Sequence, residues 1–117
     1  MSVNIVWIPM LEGDTQAAAI TSSAIIQDPR VAQFYDGERR LGATIAQGLG
    51  SPSEIAWDIY LFYPPGRTWD ALPPPPVTWM HQLSAPWADP ARRHCGGDLV
   101  AQLHRATQRF MPDGNVE

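Results

Sequence analysis

Residues 56–83 read AWDIYLFYPPGRTWDALPPPPVTWMHQL, and this stretch decides the fold. Trp57, Ile59, Leu61 and Tyr63 alternate with Asp58, Tyr60 and Phe62, which predicts a strand over residues 55–63. Pro64-Pro65-Gly66 ends it. Residues 73–76 are four successive prolines, a stiff polyproline II connection. Val77, Trp79, His81 and Leu83 then alternate with Thr78, Met80 and Gln82, predicting a second strand over residues 77–83. No helix separates the two strands, so the pair is antiparallel.

Upstream, residues 3–10 are apolar and alternate poorly, as in a strand buried on both faces. Asp14 reads as the N-cap of a helix through about Gln27. Asp28-Pro29 repeats an N-cap followed by a first-turn proline, predicting a short helix that carries Val31, Phe34 and Tyr35. Asp36-Gly37 breaks it. A further helix covers residues 38–49, with Leu41, Ile45 and Leu49 on one face. Gly42 and Gly48 each cost that helix about 1 kcal/mol relative to alanine, which points to close packing. Downstream, residues 84–97 form a loop, and Asp98 caps a last helix striped by Leu99, Leu103, Ala106 and Phe110. The predicted order is β-α-α-β-β-α: an α/β fold with a mixed sheet and helices packed on it. One domain spans residues 1–112, and residues 113–117 are a flexible tail.

The 117 residues suit one domain, and 44% hydrophobic with 17% charged content describes a globular chain. The net charge of −4, with eight scattered arginines and no lysine, argues against a nucleic-acid binder. A single cysteine, Cys95, excludes an intrachain disulfide or an internal CxxC pair. No signal peptide or 18-residue apolar stretch is visible, so the expected location is the cytoplasm, with no membrane partner. His81, His94, Cys95 and His104 lack the spacing of a zinc site. No metal and no cofactor are expected.

The element order, with the phrases VWIPMLEGD (residues 6–14) and WDIYLFYPPG (residues 57–66), resembles the C-terminal portion of the thioredoxin-like superfamily, in particular bacterial proteins of the redoxin kind. That family's core runs β-α-β-α-β-β-α. The resemblance implies that residues 3–10 are its second strand, 14–49 an elaborated second helix, 55–63 and 77–83 the closing antiparallel pair, and 98–110 the last helix. The family's first strand and CxxC-bearing helix then have no counterpart. Its proline before the third strand is replaced by Glu54-Ile55-Ala56-Trp57, with Pro52 too early. Dithiol exchange is therefore not carried over. A missing central strand leaves edges to be filled. The foremost outcome is a homodimer formed through an exposed strand edge. The others are direct pairing of the remaining strands, a protein partner that supplies the strand, or a longer chain with its reactive cysteines upstream.

Cys95 is the catalytic candidate: Arg92, Arg93 and a helix N-terminus lie beside it and favour thiolate. Against this, Asp98 opposes thiolate, and a lone cysteine in a glycine loop needs no role. Asp58 reads either as a buried acid or as the outward residue of an edge strand, and the alternation favours the second. Trp57, Asp58, Trp69, Trp79 and Trp87 are the binding candidates, because tryptophan dominates contact surfaces. Trp57 and Trp79 also suit a core, whereas Trp69 and Trp87 lie in loops. Three functions follow. The first is a non-catalytic thioredoxin-like association module. The second is a thiol–disulfide oxidoreductase or peroxidase-type protein, acting through Cys95 or an upstream CxxC. The third is a small-molecule binder near Glu12 and Asp14, at the end of the first strand.

Overall fold

The computed structural model describes residues 2–69 and 73–110. Strand β1 (Val3–Trp7) pairs in parallel with β2 (Val31–Tyr35), from Val3↔Val31 to Trp7↔Tyr35. Helix α1 (Gln16–Ser23) makes the crossover that parallel strands require. This strand β2 corrects the expectation of a second helix there. The Asp28 carboxylate does not cap a helix. It accepts the Arg30 backbone N–H at 2.8 Å and the Arg30 guanidinium at 3.0 and 2.7 Å. That local turn competes with helix initiation. It delivers Val31, Gln33 and Tyr35 to one face of an extended segment and Ala32 and Phe34 to the other.

Both ends of α1 also differ from expectation. Thr15, not Asp14, caps α1, its Oγ1 accepting the Ala18 N–H at 3.0 Å. Asp14 instead closes the preceding turn by accepting the Met10 and Leu11 N–H groups at 3.1 and 2.7 Å. α1 stops four residues early, where the Ser23 hydroxyl donates to the Ile20 carbonyl.

Helix α2 (Arg40–Gly48) follows, its first turn satisfied by Asp36, whose two oxygens accept the Arg40 and Gly42 N–H groups. β3 (Ile59–Phe62) and β4 (Thr78–His81) are antiparallel, from Ile59↔His81 to Phe62↔Thr78. β3 begins later than its alternation predicts because Asp58 sits at φ +51°, which interrupts the extended run. Helix α3 (Gly96–Phe110) closes the chain. The order is therefore β-α-β-α-β-β-α, not β-α-α-β-β-α. The expected single mixed sheet is also corrected: two separate two-stranded sheets form, and no ladder joins β1 to β3 among the described residues.

Helix α2 is the element common to both halves. Its Ile45 and Ala46 bury with Ala56, and Leu41, Leu49, Ile59, Leu61 and Trp87 pack around them. The alternate residues of β3, Tyr60 and Phe62, turn to the opposite face and join Met80, Leu99, Leu103 and Ala106 under α3. At Gly42 the space is filled. A Cβ there would stand 2.7 Å from Ile8 Cδ1, 2.8 Å from Ile55 Cγ2 and 3.0 Å from the Ala56 carbonyl oxygen. The Ala56 N–H also donates to the Gly42 carbonyl at 2.9 Å. The segment after β1 and the segment before β3 thus meet on α2. No described helix is long and apolar enough to cross a membrane. The tail at residues 113–117 and the Phe110 side chain lie outside the described residues.

Candidate functional site

In open α/β folds ligands approach the C-terminal ends of parallel strands, so the turn after β1 comes first. It is held from several sides. The Arg39 Nε donates to the Pro9 carbonyl at 2.7 Å from a left-handed backbone, φ +60°. Asp14 takes two N–H groups of the same turn. Below it, Trp7 Nε1 donates to Gln33 Oε1 at 2.9 Å, and Gln33 Nε2 donates to the carbonyls of Ser23 and Ile26. A cleft of about 110 Å³ opens between Trp7, Tyr35, Asp14 and the small residues Ala18 and Ser22 of α1. The turn holds no thiol and no imidazole. The Asp14 carboxylate and the Arg39 guanidinium serve the turn itself.

Cys95, the catalytic candidate, is exposed and stands immediately before α3. Its carbonyl accepts the Leu99 N–H at 3.3 Å. His94 Nδ1 and Asp98 Oδ2 lie 2.6 Å apart. That hydrogen bond holds the Asp98 carboxyl below its ordinary range, against a smaller desolvation effect; Gln102 and Arg105 assist. The nearest imidazole is therefore directed to a carboxylate. Neither a base nor a cation is bonded to the Cys95 thiol among the described residues.

His81 is fully buried and structural. Its Nδ1 accepts the Leu83 N–H at 2.9 Å, so the proton sits on Nε2, which donates to the Asp89 carbonyl at 2.8 Å. Both ring nitrogens are used, which removes His81 from any metal set. Its carbonyl accepts the His94 N–H at 3.0 Å, next to a bridge between His81 and Arg93. Arg92 adds a donor to the Trp79 carbonyl at 3.1 Å, and its guanidinium lies 5.1 Å from the Trp79 ring. The turn Pro90–Arg92 and the residues after it thus cover the outer edge of β4. Sequence reading missed this strap, although Asp89-Pro90 and the Arg92-Arg93 pair were its local signals.

The binding candidates are spread over the molecule. Trp57 is half-buried ahead of β3. Asp58 is exposed there, its carbonyl accepting the Gln82 N–H at 3.1 Å. Trp79 lies in β4 beneath Arg92, and Trp87 packs on the α2 cluster. Trp69 is 45% exposed and meets Tyr63 edge-on, with ring centroids 5.4 Å apart. Burial pushes the Tyr63 phenol up. A groove of about 190 Å³ runs past Tyr63 between α2 and the four prolines.

No protein-family model, curated protein or solved structure matches the chain. Among the described residues, no three His, Cys, Asp or Glu side chains gather as a metal site would need. The geometry offers one exposed thiol without a bonded base, a tied turn without a nucleophile, and unpaired strand edges.

Proposed function

We propose that the chain is a thioredoxin-like domain that works by association through an exposed strand edge, and not by thiol chemistry. Support for the family comes from the element order, β-α-β-α-β-β-α, with its parallel first pair and antiparallel last pair. On this reading β1 and α1 occupy the places of the family's first strand and CxxC helix. The observation that carries the function is the turn between them: Ile8-Pro9-Met10-Leu11-Glu12-Gly13-Asp14 holds no cysteine where the family carries its dithiol. The only thiol lies elsewhere, ahead of α3. The partner is a second copy or another protein that adds a strand.

The second reading, a one-cysteine redox protein, rests on the exposure of Cys95 at the start of α3. Insulin-disulfide reduction and peroxide consumption separate the two. The wild-type chain and Cys95→Ser are expected to sit together at background in both assays. Turnover by the wild type that Cys95→Ser loses would overturn the association reading.

A further inference from the structure

The sheet edges are not equivalent. The outer edge of β4 is closed by the chain's own strap, through the His94 N–H to the His81 carbonyl and Arg92 to the Trp79 carbonyl. The outer edge of β2 has no ladder partner among the described residues. The Val3 N–H donates to the Arg30 carbonyl and the Asp36 N–H to the Trp7 carbonyl. Even-numbered residues of β2 therefore direct their peptide groups to β1, and Val31, Gln33 and Tyr35 direct theirs outward. The Val31 N–H is satisfied by the Asp28 carbonyl. The N–H groups of Gln33 and Tyr35 face away from the sheet, and a row of such donors is a template for another strand.

Resting on the association reading, we infer that two copies of this chain pair antiparallel along β2, with a two-fold axis at Gln33. The segment is complementary to itself in that register. Gln33 falls opposite Gln33 of the second copy, and Val31 opposite Tyr35. Ala32, exposed and small, falls opposite Phe34, which is 54% exposed and large. Arg30 falls opposite Asp36, an opposite-charge pair, and Asp28 falls opposite Glu38, a like-charge pair in which each carboxylate is already neutralised by an arginine of its own chain. Residues 28–40 hold three carboxylates and three arginines, so this edge is neutral on a chain of net charge −4. Like-charge repulsion between copies is therefore small here. Ile25, 84% exposed, lies in the turn whose Ser23 and Ile26 carbonyls hold Gln33, and it adds apolar surface beside the middle of the strand. A pair of five-residue strands is smaller than a standard interface, so the dissociation constant falls at about 10–100 μM.

The test is sedimentation equilibrium of the full chain from about 2 to about 500 μM, which brackets that constant, with amide hydrogen exchange at both ends of the range. The mass should move from monomer to dimer, and the Gln33 and Tyr35 amides should become about tenfold more protected at the high end. Phe34→Arg and Ala32→Arg, at two exposed positions, should each stay monomeric with an unchanged circular dichroism spectrum. A monomer at the highest concentration overturns the inference. So does a dimer that both variants leave intact, or one without added protection at Gln33 and Tyr35. Those results leave the thiol-free association reading standing with a different edge or partner, whereas Cys95-dependent turnover removes that reading whatever the mass.

Discussion

Gly42→Ala and Gly48→Ala are the same substitution in one helix, and the structure gives them opposite signs. On helix propensity alone, each exchange of an interior glycine for alanine stabilises by about 1 kcal/mol. At Gly48 no atom lies within 4 Å of the new methyl, so most of that gain survives, reduced because Gly48 is the last residue of α2. At Gly42 the methyl would stand 2.7 Å from Ile8 Cδ1, 2.8 Å from Ile55 Cγ2 and 3.0 Å from the Ala56 carbonyl oxygen. Ile8 Cδ1 is the end of a flexible side chain and can rotate away. Ile55 Cγ2 sits on a β-branched carbon and is stiff. The Ala56 carbonyl is backbone, in a peptide whose neighbouring N–H is bonded to Gly42 itself. Overpacking of this kind costs about 1–3 kcal/mol, which offsets or outweighs the propensity gain of about 1 kcal/mol and leaves a net loss of about 0–2 kcal/mol. Urea unfolding followed by circular dichroism, with unchanged m-value, measures both variants. Gly42→Ala should unfold at lower urea than the wild type and Gly48→Ala at equal or higher urea. If Gly42→Ala is as stable as Gly48→Ala, the segments after β1 and before β3 do not meet on α2.

The remaining predictions concern single side chains. His81→Ala empties a fully buried site and strips the Leu83 N–H and the Asp89 carbonyl of their partners, a loss of about 3–5 kcal/mol in urea unfolding. Burial raises the Tyr63 phenol above its ordinary 10.0, so the folded chain holds that proton longer than the unfolded one. The resulting stability is present below pH 10.0 and falls as pH rises through the folded value; Tyr63→Phe should flatten the decline in urea midpoint as pH rises past 10.0. Arg30 holds the Asp28 carboxyl at about 2 by side-chain and backbone hydrogen bonds. Its contribution is present above the ordinary 3.8 and is lost as pH falls toward 2, and Arg30→Gln should move the carboxyl's NMR titration midpoint upward.

The elements legible in the sequence are those whose local pattern and tertiary role agree. β3 and β4 alternate because α2 packs on one face of β3 and α3 on the other, and α2 shows its Leu41, Ile45, Leu49 face for the same reason. β2 was hidden because Asp28-Pro29 carries a helix-start signal while the Asp28 carboxylate spends itself on Arg30. Only pairing with β1 resolves that ambiguity, and pairing is not written in five residues. Reading β2 as helix merged two helices into one connection and removed a strand from the predicted order. At the site, the lone thiol and the empty turn were legible by counting cysteines. The strap over β4 was not, because it depends on His81 reaching Asp89 and Arg92 reaching Trp79. Of the tryptophans, Trp87 packs on the α2 cluster, Trp79 lies under Arg92, and Trp69, 45% exposed, is the most open to solvent.

The most direct measurement is the alkylation rate of Cys95 by iodoacetamide at neutral pH, in the folded chain and in the same chain unfolded in urea. A domain that works by association needs no activated thiol, so the folded rate should equal or fall below the unfolded one. A folded rate about tenfold or more above it, the mark of a thiol activated by its surroundings, would contradict the assignment and return Cys95 to the centre of the function.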